Sequence, residues 1–138
     1  MYFNKTIPEL SVTKLNNSIQ FYKTCGFKIE YERPEDKSAF LSLEEIQIML
    51  QEISDDDKWE VGKLEYPFGR GINFQLEVEN VDIIYNSLKE NNYQIAFEIE
   101  ENWYREDDKL LGCKEFLVQD PDGYLLRFQS DLGTRNVK

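Results

Sequence analysis

Histidine is absent from all 138 residues. That removes the usual base of a Ser-His-Asp triad and the usual nitrogen ligand of zinc and facial-triad iron sites. Acid–base work is left to Glu, Asp, Tyr, Lys, Arg and Cys. Glu9, Tyr22 and Lys109 are of suitable type, but a general acid or base needs a partner in hydrogen-bond reach, and nothing in the sequence places one beside them. Cys25 and Cys113 form no C-x-x-C pair. Without an export signal they are read as reduced and buried. No catalytic constellation emerges, and no cofactor is expected.

Residues suited to binding are easier to find. Trp59 and the pair Trp103-Tyr104 are read as loop aromatics that can stack on a flat ligand, worth roughly 0.5–1.5 kcal/mol beyond area burial. The competing reading is that they close the core or a dimer seam. Asp55-Asp-Asp57 and Glu106-Asp-Asp108 are first of all solvated charge runs, and secondarily attractors of a cation to a rim. Arg70, set between Gly69 and Gly71, is read as part of a linker turn before it is read as an anion contact.

The net charge of −11 excludes nucleic acid as a partner, since phosphate binding needs Lys and Arg gathered on one face. It suits solubility, and it permits a cationic ligand. No run approaches the roughly 20 apolar residues of a membrane span, so no membrane partner is expected. The first five residues lack the basic and apolar regions of a signal peptide, and the cytoplasm is the expected location.

The elements that must position these side chains come in two copies. Leu10-Ser-Val12, then Leu15, Ile19 and Tyr22, then Gly26-Phe-Lys-Ile29 is matched by Leu76-Glu-Val78, Val81, Tyr85 and Leu88, then Asn92-Tyr-Gln-Ile95. The offset is 66 residues both from Leu10 to Leu76 and from Ile29 to Ile95. Each copy reads strand, helix, strand, with apolar residues three and four apart in the helix. Thr13 and Asn80 are the expected N-caps and Gly26 the expected C-terminal stop. Two further strands follow each unit: about Ser38–Leu43 and Ile46–Gln51, then about Cys113–Gln119 and Tyr124–Gln129. The last pair is joined by Asp120-Pro-Asp-Gly123, a strong turn signal. The expected organisation is one domain over residues 1–132. Module one is about 5–53, the linker about 54–70 and module two about 71–129, with a flexible tail at 133–138.

Alternation along the strands separates two faces. Ile72, Phe74, Leu76 and Val78 stand against Asn73, Gln75 and Glu77; Ile46, Ile48 and Leu50 against Gln47, Met49 and Gln51. In the last strand Tyr124, Leu126 and Phe128 stand against Leu125, Arg127 and Gln129. The apolar face is expected under the helices. The other, rich in amides, is expected to line a small-molecule cup.

Three segments carry a family likeness: Val12-Thr-Lys-Leu-Asn-Asn-Ser-Ile-Gln-Phe-Tyr22 closing in Cys25-Gly-Phe27, Pro67-Phe-Gly-Arg-Gly-Ile-Asn-Phe74 leading to Glu79-Asn-Val-Asp82, and Phe116-Leu-Val-Gln-Asp-Pro-Asp-Gly-Tyr-Leu-Leu-Arg-Phe128. In this order they resemble the vicinal oxygen chelate superfamily of glyoxalases, bleomycin-resistance proteins and ring-cleaving dioxygenases. The resemblance covers about Ile7 to Leu132. It implies an α+β fold in which two βαβββ modules form a curved mixed-sheet cup with the helices outside, usually completed in a homodimer. Its enzymatic members hold a divalent metal on the first and last strands of each module. Those positions fall here on Ile7, Met49, Asn73 and Arg127. None is a strong ligand for such an ion, so the resemblance is closest to the metal-free bleomycin-resistance type.

The reading that follows is a homodimeric small-molecule binder, with a drug-like or cationic, bleomycin-like ligand contacting Gln47, Met49, Trp59, Asn73, Gln75, Trp103, Tyr104 and Arg127. The alternatives are a lyase, isomerase or dioxygenase holding a hard metal by oxygen ligands, and a metabolite-binding module of unknown ligand.

Overall fold

The computed structural model describes residues 2–55 and 59–137. Asp56 and Asp57 of the acidic run and Lys138 of the expected tail lie outside the described residues. In chain order the elements are β1 (Glu9–Val12), α1 (Leu15–Cys25), β2 (Lys28–Arg33), β3 (Ser38–Leu43), β4 (Ile46–Glu52), β5 (Asn73–Glu77), α2 (Val81–Glu90), β6 (Phe97–Glu106), β7 (Lys109–Gln119) and β8 (Leu125–Asn136). They build two compact units, one running to Arg70 and taking in Asp120–Tyr124, the other made of Gly71–Gln119 with Leu125 onward. Each is α+β, a four-stranded mixed sheet with one helix packed on it.

In the first unit the strand order is β1-β4-β3-β2, with β1 parallel to β4 and the other pairs antiparallel. Helix α1 buries Leu15, Ser18, Ile19, Tyr22 and Cys25, the stripe that a 3.6-residue period dictates. On the sheet, Leu10, Val12, Ala39, Leu41, Ile48 and Leu50 are buried. Gly26 ends the helix at φ 107°, and the next amide, that of Phe27, returns to the Tyr22 carbonyl at 3.0 Å. The N-terminus departs from expectation. Lys14, not Thr13, holds the cap position, without a side-chain cap bond. Glu52 accepts the Leu15 amide instead at 2.9 Å. Thr13 is drawn away to Asp122, which accepts its amide at 3.1 Å and its hydroxyl at 2.7 Å.

The segment Asp120–Tyr124 belongs to this unit's core. Asp120 accepts the Tyr22 phenol at 2.7 Å and the amides of Asp122 and Tyr124 at 3.0 and 2.9 Å. Tyr124 in turn donates to the Ser11 carbonyl. Burial pushes the Asp120 carboxyl up to about 6 against these hydrogen bonds.

The second unit repeats the topology as β5-β8-β7-β6, again with its first strand parallel to its last. Asn80 caps α2 as expected, accepting the Asp82 amide at 3.1 Å. Ser130, buried on β8, accepts the Val81 amide and donates to the Val78 carbonyl. Two expectations fail here. The strand expected at Asn92–Ile95 begins only at Phe97 and runs ten residues, then returns through the two-residue turn Asp107-Asp108. The tail expected to be flexible from Gly133 is strand through Asn136, with Gly133, Thr134, Arg135 and Asn136 paired to Gly112, Leu111, Leu110 and Lys109. Backbone pairing orders this ribbon although its residues beyond Asp131 are exposed, and an element with neither face buried carries no hydrophobic period to read.

Candidate functional site

Each sheet has a helix-covered face and an open one, and the predicted alternation assigns them correctly. The open faces nonetheless differ in how their polar groups are used. On the first sheet Ser38, Phe40 and Ser42 pair with Gln51, Met49 and Gln47. Gln47 accepts the Asn4 amide at 2.7 Å and donates to the Tyr2 carbonyl at 2.6 Å. Gln51 donates to the Asp36 carbonyl at 2.7 Å. Phe3 and Tyr31 each set a ring 5.3 Å from that of Phe40, which is only 1% exposed. The amides expected to meet a ligand here hold the chain's own backbone, and the aromatic trio covers the face beside Met49.

The second sheet is different. Gln75 lies opposite Arg127, and Glu77 opposite Gln129. On β7 the matching residues are Leu117 and Glu115, then Cys113 opposite Asp131; on β6, Asn102 and Tyr104 follow. These line or adjoin a cleft of about 520 Å³, walled by Gln75, Glu77, Tyr104, Leu111, Arg127 and Gln129 among others. Glu115, buried beneath it, accepts from Tyr104 at 2.9 Å, from Asn102 at 3.3 Å and from the Cys113 thiol at 3.2 Å. The side chains of Arg127, Gln75, Gln129 and Asn73 make no hydrogen bond or ion pair among the described residues.

Hydrogen bonding to Glu115, with burial, raises the Tyr104 phenol above its ordinary value. Burial, with the same carboxylate, pushes the Cys113 thiol up to about 11. Both are protonated near neutral pH, so they serve as donors and not as nucleophile or base.

Of the residues singled out in the sequence, Asn73, Gln75, Tyr104 and Arg127 share this face. Gln47 and Met49 belong to the first sheet. Trp103 and Tyr104 sit on strand β6 and not on a loop, and adjacent strand residues point to opposite faces. Trp103 therefore lies on the other side, its ring against Gly112 and beneath the Arg135 guanidinium at 3.4 Å from its centroid. Trp59 is in the linker, 66% exposed. Cys113, Glu115 and Leu117 were missed, although extending the alternation into Cys113–Gln119 reaches them.

The positions that would hold a metal do not fit one. In the second unit they are an amide and a guanidinium, Asn73 and Arg127; in the first, Ile7 and the thioether of Met49. A cation in the donor set opposes a divalent ion. Among the described residues no group of three or more Cys, Asp or Glu is placed to ligate one.

A family model described as the Glyoxalase/Bleomycin resistance protein/Dioxygenase superfamily matches residues 6–128. The chain belongs to this superfamily. No curated protein matches it. Solved structures do. TioX from Micromonospora sp. ML1 is 17% identical with a TM-score of 0.70, over 94% of this chain and 100% of that one. A glyoxalase/bleomycin resistance protein/dioxygenase from Alicyclobacillus acidocaldarius is 17% identical with a TM-score of 0.63, over 94% and 92%. A superfamily member from Vibrio splendidus 12B01 is 32% identical over 90% and 95%, with a TM-score of 0.44. The first two likenesses speak to the superfamily's fold alone. No helix among the described residues is long and apolar enough to cross a membrane.

Proposed function

We propose that the protein binds a small, drug-like organic ligand on the open face of its second sheet, without metal and as a homodimer. The observation that carries this reading is the unspent polar set: the side chains of Arg127, Gln75 and Gln129 line one cleft and make no hydrogen bond or ion pair among the described residues. Leaving a half-buried guanidinium without an acceptor costs free energy, and a ligand acceptor removes that cost. The cleft volume lies within the range of small-molecule sites, and Tyr104 and Leu111 supply apolar wall.

The cationic ligand expected from net charge finds Glu77 and Asp131 at the cleft, whereas the unpartnered group there is itself a cation. Calorimetric titration with metal-free bleomycin tests the antibiotic version: absence of heat up to high micromolar ligand removes it. Light scattering tests the dimer, and a monomer at working concentration ends that part of the reading.

A further inference from the structure

We propose that the ligand of the second-sheet cleft is an aromatic monoanion, a carboxylate or sulfonate, with its oxyanion on Arg127 and its apolar body along Tyr104 and Leu111. This rests on the reading of that face as a binding site and goes beyond it by naming the ligand's class.

Arg127 offers a fork of donors that can meet two oxygens of a carboxylate or a sulfonate at once, and Gln75, directly opposite on β5, brings an amide beside it. No acid of the face claims the guanidinium. Glu115 is already satisfied by three neutral donors, from Tyr104, Asn102 and Cys113. Asp131 accepts the Gly133 amide at 2.9 Å, and Glu77 is exposed on β5. These carboxylates repel any negative charge and a double one more, so the bond to Arg127 has to carry the anion and a monoanion is preferred over a phosphate dianion.

The apolar body has its own row. Tyr104, Leu111 and Thr134 pair in line across β6, β7 and β8, with Tyr104 50% and Leu111 37% exposed. From Leu117, opposite Arg127, to Leu111 is six residues along β7, roughly 20 Å at about 3.3 Å per residue. An oxyanion on Arg127 and an apolar body reaching Leu111, both of which line the cleft, call for a bicyclic or longer aromatic ligand.

Two fluorescent probes of matched shape test this: anilinonaphthalenesulfonate, and phenylnaphthylamine, which lacks the sulfonate. The wild-type protein is expected to bind the sulfonate saturably. Arg127→Gln is expected to weaken it at least tenfold while changing phenylnaphthylamine binding less than twofold. If that variant does not fold, the wild type decides: benzenesulfonate should displace the bound probe and benzylamine should not. Equal effects of Arg127→Gln on both probes, or displacement by benzylamine, overturn the anion assignment and leave the binding face standing. Failure of both probes to bind overturns both readings.

Discussion

Tyr22 donates its phenolic hydrogen to Asp120 at 2.7 Å inside the first unit, although 98 positions separate them in sequence. Around the pair stand Asp122 and Tyr124, whose amides donate to Asp120, and Cys25, which is buried beside both. Burial lifts the Asp120 carboxyl from 3.8 to about 6. Between those values the folded protein holds a proton that the unfolded chain has released. The stabilisation from this group is therefore full below the unfolded value and is lost as pH rises through the folded one. A shift of about two pH units corresponds to about 3 kcal/mol at most. Asp120→Asn should flatten this component of the stability profile and be at least as stable as wild type near neutrality. Urea unfolding of both proteins across that range measures it; an unchanged difference with pH would assign the titration elsewhere.

Gly112 lies under Trp103, and a Cβ there would meet ring atoms at 2.5–2.7 Å. Gly112→Ala must therefore move the indole and unseat Arg135 from its face. The expected cost is about 1–3 kcal/mol, with a shift in Trp103 emission seen in a Trp59→Phe background. An unmoved spectrum would contradict the stacking.

The two helix starts are built differently, and the difference is measurable. Asn80→Ala removes a side-chain cap and should cost about 1 kcal/mol, with faster amide exchange at Asp82. Lys14→Ala removes no cap bond and should change stability by less than about 0.5 kcal/mol. Equal losses at both sites would refute the asymmetry.

Gln47 holds Tyr2 and Asn4 through both ends of its amide. Gln47→Ala should release the N-terminal segment, which hydrogen exchange reports at Asn4, while leaving ligand affinity of the second sheet unchanged. Loss of that affinity with Gln47 would return this residue to the role first expected of it.

What the sequence made legible follows from periodicity. Leu15 and Val81, 66 residues apart, both open helices, because each starts an apolar stripe that one sheet face must cover. The partition of Gln75 from Leu76 and of Arg127 from Phe128 was readable for the same reason. The ribbon of β6, β7 and β8 was not. Asp107 takes φ 55° without the glycine that usually marks such a turn, so Glu106-Asp-Asp108 passed for a charge run and Trp103 for a loop residue. Whether an amide is spent or free also escapes sequence: Gln47 and Gln75 look alike until their partners are seen.

The place of Asp120–Tyr124 in the first unit bears on how the chain matures during synthesis. Tyr22 is synthesised 98 residues before the carboxylate that receives its phenol. A nascent chain halted after the linker would expose an incomplete core around Tyr22 and Cys25. Until Asp120–Tyr124 has been made, the first unit lacks the acceptors and donors that Tyr22, Thr13 and Ser11 use in the finished fold.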